Sequence, residues 1–267
     1  MRISETHPCF SSCCNGFARI HLPVAPNCNI QCNYCVRKFC CVNESRPGVT
    51  TKVMTPQEAA DWYRKCKNNM PNLAVAGIAG PGDPLANWIN TRETLKLLCM
   101  EDKNIKLCLS TNGLMLPDYV GELADLGVKY LTVTLNTIDP KIGGQIYKFV
   151  NYNGQKYSGE EAAKILLDRQ LAGISRAKAN GMTVKINCVA IRGINVCDIV
   201  NVANLVSEAG CDLMNIIPMM PVPGSKFAGI KELDNEEVCR YRQECGKYIR
   251  QMYHCNRCRA DAVGVLK

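Results

Sequence analysis

Residues 20–35, Ile20-His21-Leu22-Pro23-Val24-Ala25-Pro26-Asn27-Cys28-Asn29-Ile30-Gln31-Cys32-Asn33-Tyr34-Cys35, run an apolar stretch straight into three cysteines spaced C-x3-C-x2-C. Four thiolates would close a four-iron cluster into an electron carrier. Three leave one iron open to hold a substrate, and the cluster becomes a reagent. The apolar stretch predicts a strand over about 18–25 whose C-terminal end delivers a cluster loop.

Working outward, five further apolar runs, at about 73–79, 105–110, 130–136, 183–191 and 213–218, alternate with amphipathic segments. That alternation is the pattern of a parallel sheet built from βα units. Thr55-Pro56-Gln57-Glu58 predicts a helix start with a capping box and proline in the first turn. Ser158-Gly159-Glu160-Glu161 predicts a second box, for a helix ending near Gly181. Other helices are expected at 91–101, 117–126, 196–209 and 234–252, with Gly127 and Gly210 as C-terminal stops.

Six βα units are too few for a closed eight-stranded barrel, so the predicted fold is α/β, an open (βα)6 partial TIM barrel. Barrels of this kind gather chemistry at the C-terminal strand ends. The polar and Gly/Pro clusters fall there: Cys28, Cys32 and Cys35 after the first strand, Gly80-Pro81-Gly82-Asp83-Pro84 after the second, and Ser110-Thr111-Asn112-Gly113 after the third. Asn136-Thr137 follow the fourth, Arg192 and Asn195 the fifth, and Pro218-Met219-Met220-Pro221 the sixth.

With 267 residues, 47% of them hydrophobic, the expectation is one domain, 1–267, with a barrel at 18–252 between cluster-binding tails at 1–17 and 253–267. No stretch approaches the roughly 18 apolar residues of a membrane span, and MRISETHPCF lacks a secretory h-region. The expected compartment is the cytoplasm, where eighteen cysteines read as metal ligands rather than disulfides. The net charge of +8 is dispersed, and 6% aromatic content is poor material for base stacking, which argues against nucleic acid. An anionic cluster and an anionic small molecule account for the surplus charge.

The cysteine spacing, Tyr34 just before the third cysteine and the six βα units together resemble the radical S-adenosylmethionine (SAM) superfamily. The resemblance implies that the open iron chelates the amino and carboxylate groups of SAM, and that Tyr34 lies beside the adenine. It also implies that Gly80, Gly82 and Asp83 meet the cofactor's ammonium group, while Asn112, Asn136, Arg192 and Asn195 contact its ribose or carboxylate. Taken alone, the Gly-Pro-Gly-Asp segment is a tight turn and the others are rim polar residues. A zinc site is the other use for these thiols, but zinc usually takes paired C-x2-C ligands.

Five separated blocks narrow the resemblance: Thr6-His7-Pro8-Cys9, Arg19-Ile20-His21, Cys41 to Gly48, Ala79 to Ala86 and Cys255 to Ala262. Together they are similar to the maturase family that builds the nitrogenase cofactor core. That family fuses two 4Fe–4S substrate clusters into an eight-iron product around a carbide. One SAM donates a methyl group, and the 5'-deoxyadenosyl radical from a second takes hydrogen from it.

The likeness implies Cys9, Cys41, Cys108 and His21 as ligands of the first substrate cluster and Cys255 with Cys258 for the second. It gives Glu44 a proton-moving role and Arg46 a charge-offsetting one. The implied partners are iron–sulfur donor proteins, an electron donor such as ferredoxin and a cofactor carrier or scaffold protein, with the chain itself a monomer.

Each of these residues also has a plainer use: Cys108 as a packed thiol, His21 as a core histidine, Glu44 and Arg46 as a surface ion pair. Cys66, Cys99, Cys188, Cys197, Cys211, Cys239 and Cys245 fall inside predicted elements and are expected to pack. The chain also departs from the family. Ser11 to Gly16 stands where acidic residues and adjacent histidines are usual, Cys40 replaces an acidic residue, and no cysteine precedes the His7-Pro8-Cys9 block. Cys13, Cys14 and Cys40 are the candidates to replace the missing ligand. Two rivals are a radical enzyme modifying a peptide or small molecule with auxiliary clusters, and a non-catalytic cluster scaffold, which would yield no 5'-deoxyadenosine.

Overall fold

Alternation of apolar and polar side chains along the strands, rather than uniform apolarity, determines what this barrel encloses. The computed structural model describes residues 6–11, 16–41 and 48–266; Cys13, Cys14, Glu44 and Arg46 lie outside them. The chain forms Ala18–His21 (β1), a short Ile30–Cys32 strand (β2), Pro56–Asn69 (α1), Leu73–Ile78 (β3), Trp88–Glu101 (α2), Lys106–Thr111 (β4), Leu116–Asp125 (α3) and Val128–Thr134 (β5). An excursion follows: helix Pro140–Ile146 (α4) and strands Tyr147–Tyr152 (β6) and Gln155–Tyr157 (β7). Then come Gly159–Ala179 (α5), Thr183–Ala190 (β8), Ile199–Glu208 (α6), Leu213–Pro218 (β9), Asn235–Cys245 (α7) and Val263–Val265 (β10).

The main sheet has the order β10-β1-β3-β4-β5-β8-β9. Its six predicted strands pair in parallel, β10 adds antiparallel to β1, and β9 ends the other edge, so the half-barrel stays open. One face carries Ile20, Leu107, Leu109, Leu131, Val133, Val184 and Ile186, packed under the helices against Leu95, Leu98, Leu123, Ile174 and Val202. Each such buried side chain contributes roughly 1.5–3 kcal/mol. The alternate positions, Arg19, His21, Cys108, Ser110, Thr132 and Lys185, line a cavity inside the barrel. Closed TIM barrels fill that space with branched apolar residues; polar walls make it a chamber.

Thr55 forms the expected capping box with Glu58. Ser158 makes no side-chain cap, because Gly159 sits at φ 63° and the chain enters α5 from the left-handed region. A box does form at Asp234 and Glu237. The helix expected over 234–252 ends at Cys245, and residues 250–252 run beside β9, where Arg250 O accepts from Met214 N and Met252 N donates to Met214 O, both at 2.8 Å. The open edge of β9 offers backbone groups that an extended segment satisfies better than a helix does.

The excursion matters for the site. Asn153 (φ 50°) and Gly154 (φ 75°) close the β6–β7 hairpin with two left-handed residues. Strand β6 then pairs antiparallel with β2 inside the cluster loop, Ile30 opposite Val150, Gln31 opposite Phe149 and Cys32 opposite Tyr147.

Candidate functional site

The cluster loop is held by its own backbone. Cys35 N donates to Cys32 O at 3.1 Å, and Gln31 Nε2 donates to the carbonyls of Cys32 and Cys35 at 2.9 and 2.8 Å. Cys32 and Cys35 are buried and Cys28 half-buried. Burial pushes all three thiols up, and Cys32 is pushed further by Cys35 and Cys28 beside it. The Arg37 guanidinium bonds Cys28 and opposes the rise at Cys28 and Cys35. Thiols in such surroundings keep their protons until a metal displaces them.

Among the described residues no three ligating groups converge on one point, as a single metal ion requires. A four-iron cluster does not require it, since each thiolate holds a different iron. Three adjacent soft donors with a cation alongside fit such a cluster.

Next to Cys28 is a small pocket walled by Cys41, Ala79, Gly82, Asp83, Ser110, Thr111, Asn112 and Thr134. Asp83 organises it. The buried carboxylate accepts from Asn112 N at 2.6 Å, Thr111 Oγ1 at 3.0 Å and Leu85 N at 2.9 Å, tying the rim after β3 to the rim after β4. Burial pushes its carboxyl up against the pull of these donors. Asn112 Nδ2 reaches Asn29 Oδ1 at 2.7 Å and Cys28 Sγ at 3.6 Å.

Gly82 N donates to Ala25 O at 2.6 Å, and Gly80 O accepts from Ala25 N at 3.3 Å, so the Gly-Pro-Gly-Asp loop lies along the start of the cluster loop. Thr134, 3% exposed, has a buried hydroxyl without a hydrogen-bond partner among the described residues. An unpartnered hydroxyl facing Cys28 across a polar pocket fits a polar cofactor bound beside the triad.

Tyr34 is fully buried, and its hydroxyl accepts from Asn136 Nδ2 at 2.9 Å. Asn136 Oδ1 accepts from Val189 N at 2.9 Å, and Asn195 Nδ2 donates to Asn136 O at 2.7 Å. Asn195 thus braces the β5 and β8 rims from inside. Arg192 pairs with Glu237 and donates to the carbonyls of Lys231 and Glu232 on the outer rim. Neither Asn195 nor Arg192 lines the triad pocket or the chamber.

The chamber brings together Cys9, His21, Cys108, Cys255 and Cys258. It adjoins the triad pocket, with Ala79 and Ser110 lining both. His21 Nδ1 donates to Arg259 O at 3.1 Å, the kind of backbone bond that orients a ligating histidine. The termini meet here: His254 Nε2 donates to Pro8 O at 2.8 Å, and His21 N to Ala262 O at 2.8 Å. Cys255 and Cys258 therefore share one chamber with Cys9, His21 and Cys108, while Cys41 lines the triad pocket.

Cys40 is buried, with its thiol 2.8 Å from Thr50 Oγ1. Cys66, Cys188 and Cys245 pack in the core as expected, whereas Cys197 and Cys239 are exposed. No disulfide joins the described cysteines.

Three chamber residues were not singled out by sequence reasoning. Lys185 is 4% exposed, with Nζ 5.2 Å from the Phe10 ring centroid. Arg19 Nη2 donates to Cys258 Sγ at 2.7 Å. The His7 ring lies 4.6 Å from those of both Phe10, edge-on, and Tyr130, tilted, and burial, then Lys185, holds its imidazole well below the usual range. A charged residue at an inward strand position was the available signal for Arg19 and Lys185. The chamber lining includes Arg19, Lys185 and Arg257 and no carboxylate, a setting that favours anions.

Residues 22–206 match the model of the Radical SAM superfamily. The chain belongs to the radical SAM superfamily. Membership implies an enzyme using SAM and a 4Fe–4S cluster. Solved radical SAM structures share the fold. The chain matches SuiB of Streptococcus suis, solved with S-adenosylmethionine, at a TM-score of 0.63 and 20% identity, over 89% of this chain and 50% of that one. It matches the FeFe-hydrogenase maturase HydG of Carboxydothermus hydrogenoformans at 0.62 and 14%, over 87% and 52%.

The resemblance to nitrogenase-cofactor maturases also holds. The chain is 49% identical to the FeMo cofactor biosynthesis protein NifB of Klebsiella pneumoniae and 46% identical to NifB of Chlorobaculum tepidum, over 98% of this chain in both cases. It spans 57% and 62% of the lengths of those relatives. No helix among the described residues is long and apolar enough to cross a membrane.

Proposed function

We propose that this chain matures the nitrogenase cofactor, fusing two 4Fe–4S substrate clusters into a carbide-containing eight-iron precursor. The observation that carries this reading is the convergence of Cys9, His21, Cys108, Cys255 and Cys258, from four separate parts of the chain, on one cationic chamber beside the triad. Thiolate and imidazole ligands suit iron–sulfur cargo, and buried Arg19 and Lys185 offset its negative charge. When bound, the cofactors supply the hard chemistry: an electron from the triad's cluster cleaves SAM, and SAM provides both the methyl carbon and the radical that activates it.

The protein's part is positioning. Asp83 fixes Asn112 beside Cys28, Gly82 lets the loop after β3 seat against the Asn27 backbone at the start of the cluster loop, and Tyr34 with Asn136 closes the adenine side. Asn195 acts through Asn136, and Arg192 steadies the rim through Glu237. His21 and the chamber cysteines hold the cargo, and Cys41, which lines the triad pocket, contacts the first substrate cluster from that side. Glu44 moves protons during sulfide chemistry and Arg46 offsets charge. The reading includes a single-domain monomer in the cytoplasm that receives clusters from iron–sulfur donor proteins, electrons from a donor such as ferredoxin, and passes product to a carrier or scaffold.

Anaerobic reconstitution tests it, with iron and sulfide counted and 5'-deoxyadenosine and S-adenosylhomocysteine assayed after adding reductant and SAM. About twelve irons per chain and both products support the maturase. About four irons with 5'-deoxyadenosine alone overturn it in favour of a simpler radical enzyme.

A further inference from the structure

On the outer side of the cluster loop runs an open groove whose floor includes Cys32 and Cys35 themselves. Its charged lining residues are Arg37, Lys148 and Lys226, all exposed and all cationic, with no carboxylate in the lining. Lys156 extends the patch along the hairpin, its Nζ 4.0 Å from the centroid of the Phe149 ring, which also lines the groove. Glu160 and Glu161 begin α5 at the groove's end, beyond Gly159.

The excursion supplies part of the patch: β6 carries Lys148 and pairs with β2, which fixes that cation against the cluster loop, while Arg37 follows β2 and Lys226 follows β9. Arg37 links surface to site, because its guanidinium bonds Cys28 while lining the groove. The groove joins the thiols Cys32 and Cys35 to an open face, whereas the chamber and the triad pocket are lined by neither.

We propose that this groove is the docking surface for the protein that reduces the triad's cluster, an acidic one-electron carrier. The proposal rests on the triad holding a 4Fe–4S cluster. Charge complementarity selects the occupant, since like-charged carriers are repelled and an acidic one is steered in. Docking there puts the carrier's redox centre against Cys32 and Cys35, the shortest path across the loop. One electron leaves the carrier, one enters the cluster, and no proton moves.

The test uses the reconstituted full chain and a reduced acidic 2[4Fe–4S] ferredoxin as probe, with cluster reduction followed by stopped-flow absorbance. The double variant Lys148→Glu/Lys226→Glu is expected to lower the second-order rate constant about tenfold or more at low ionic strength, with the gap closing as salt rises. Lys103→Glu/Lys129→Glu, at the opposite end of the barrel, is expected to leave it unchanged. An unchanged rate in the first pair, or an equal loss in both, overturns the docking surface. Reduction by dithionite separates the underlying reading. Equal dithionite rates in all variants are expected, whereas a triad that accepts no electron from dithionite overturns the cluster and the proposal with it.

Discussion

Gly82 packs directly on the backbone of Asn27: a methyl group at position 82 would stand 2.1 Å from the Asn27 carbonyl oxygen. Asp83 N donates to that same oxygen at 2.8 Å, so the loop after β3 and the chain entering the cluster loop are held as one unit. Gly82→Ala must push them apart and is expected to cost about 1–3 kcal/mol. Thermal unfolding of the cluster-free protein reads that cost, and iron retained by the triad after gel filtration reads the displacement of Cys28. Wild-type values in both would mean the loop is positioned by something other than this contact.

The two groups of thiols are expected to separate by iron content. Cys32→Ala should abolish 5'-deoxyadenosine formation, because two thiolates do not retain the cluster that cleaves SAM. Cys255→Ala/Cys258→Ala should remove about four irons, leave 5'-deoxyadenosine formation in place and block product assembly. Unchanged iron in the double variant would sink the tail's role in holding cargo.

The six strands and the triad were readable because both are local signals: short apolar runs between turn residues, and a fixed cysteine spacing. The hairpin was also signalled, by Asn153-Gly154, but β7 is only three residues long and the apolar strand it joins carries Lys148 and Asn151. Lys185 and Arg19 were hidden by the expectation that parallel strands are apolar on both faces, which fails where a barrel encloses a chamber. Cys239 follows buried Val238 by one residue, which turns it about 100° round α7 to the outside. Which cysteines share a cavity depends on the paths of the two tails, and no spacing rule reaches from Cys9 to Cys258.

Asp261 gives the tail an acid-sensitive anchor. Its carboxylate accepts from Thr51 N at 2.9 Å, Thr51 Oγ1 at 2.8 Å and Arg259 Nε at 3.0 Å. Burial alone would raise its titration point, but Arg259 and Thr51 outweigh it and lower it from 3.8 to about 2. A depressed carboxyl contributes stability that is present above 3.8 and lost as pH falls through about 2. The expected contribution is about 1 kcal/mol, below the full linkage value because Arg259 is half open to water. Unfolding of the cluster-free protein between these pH values should lose that increment, and Asp261→Asn should flatten the dependence. A variant with the wild-type slope would place the acid response elsewhere.

Lys185 is the sharpest test of the chamber's charge. It lies on β8, in a cavity whose lining has no carboxylate, where a cation favours anionic cargo. Lys185→Met keeps the length and apolar stem and removes only the charge. The expected result is that the triad's cluster and 5'-deoxyadenosine formation persist, while the additional iron falls by half or more and washes out faster as salt rises. Lys185→Arg should restore retention, because it restores charge without restoring the ammonium's shape. If Met and Arg variants both hold the full complement of iron, Lys185 serves only to pack against Phe10, and the chamber's affinity for clusters resides in its thiols and His21.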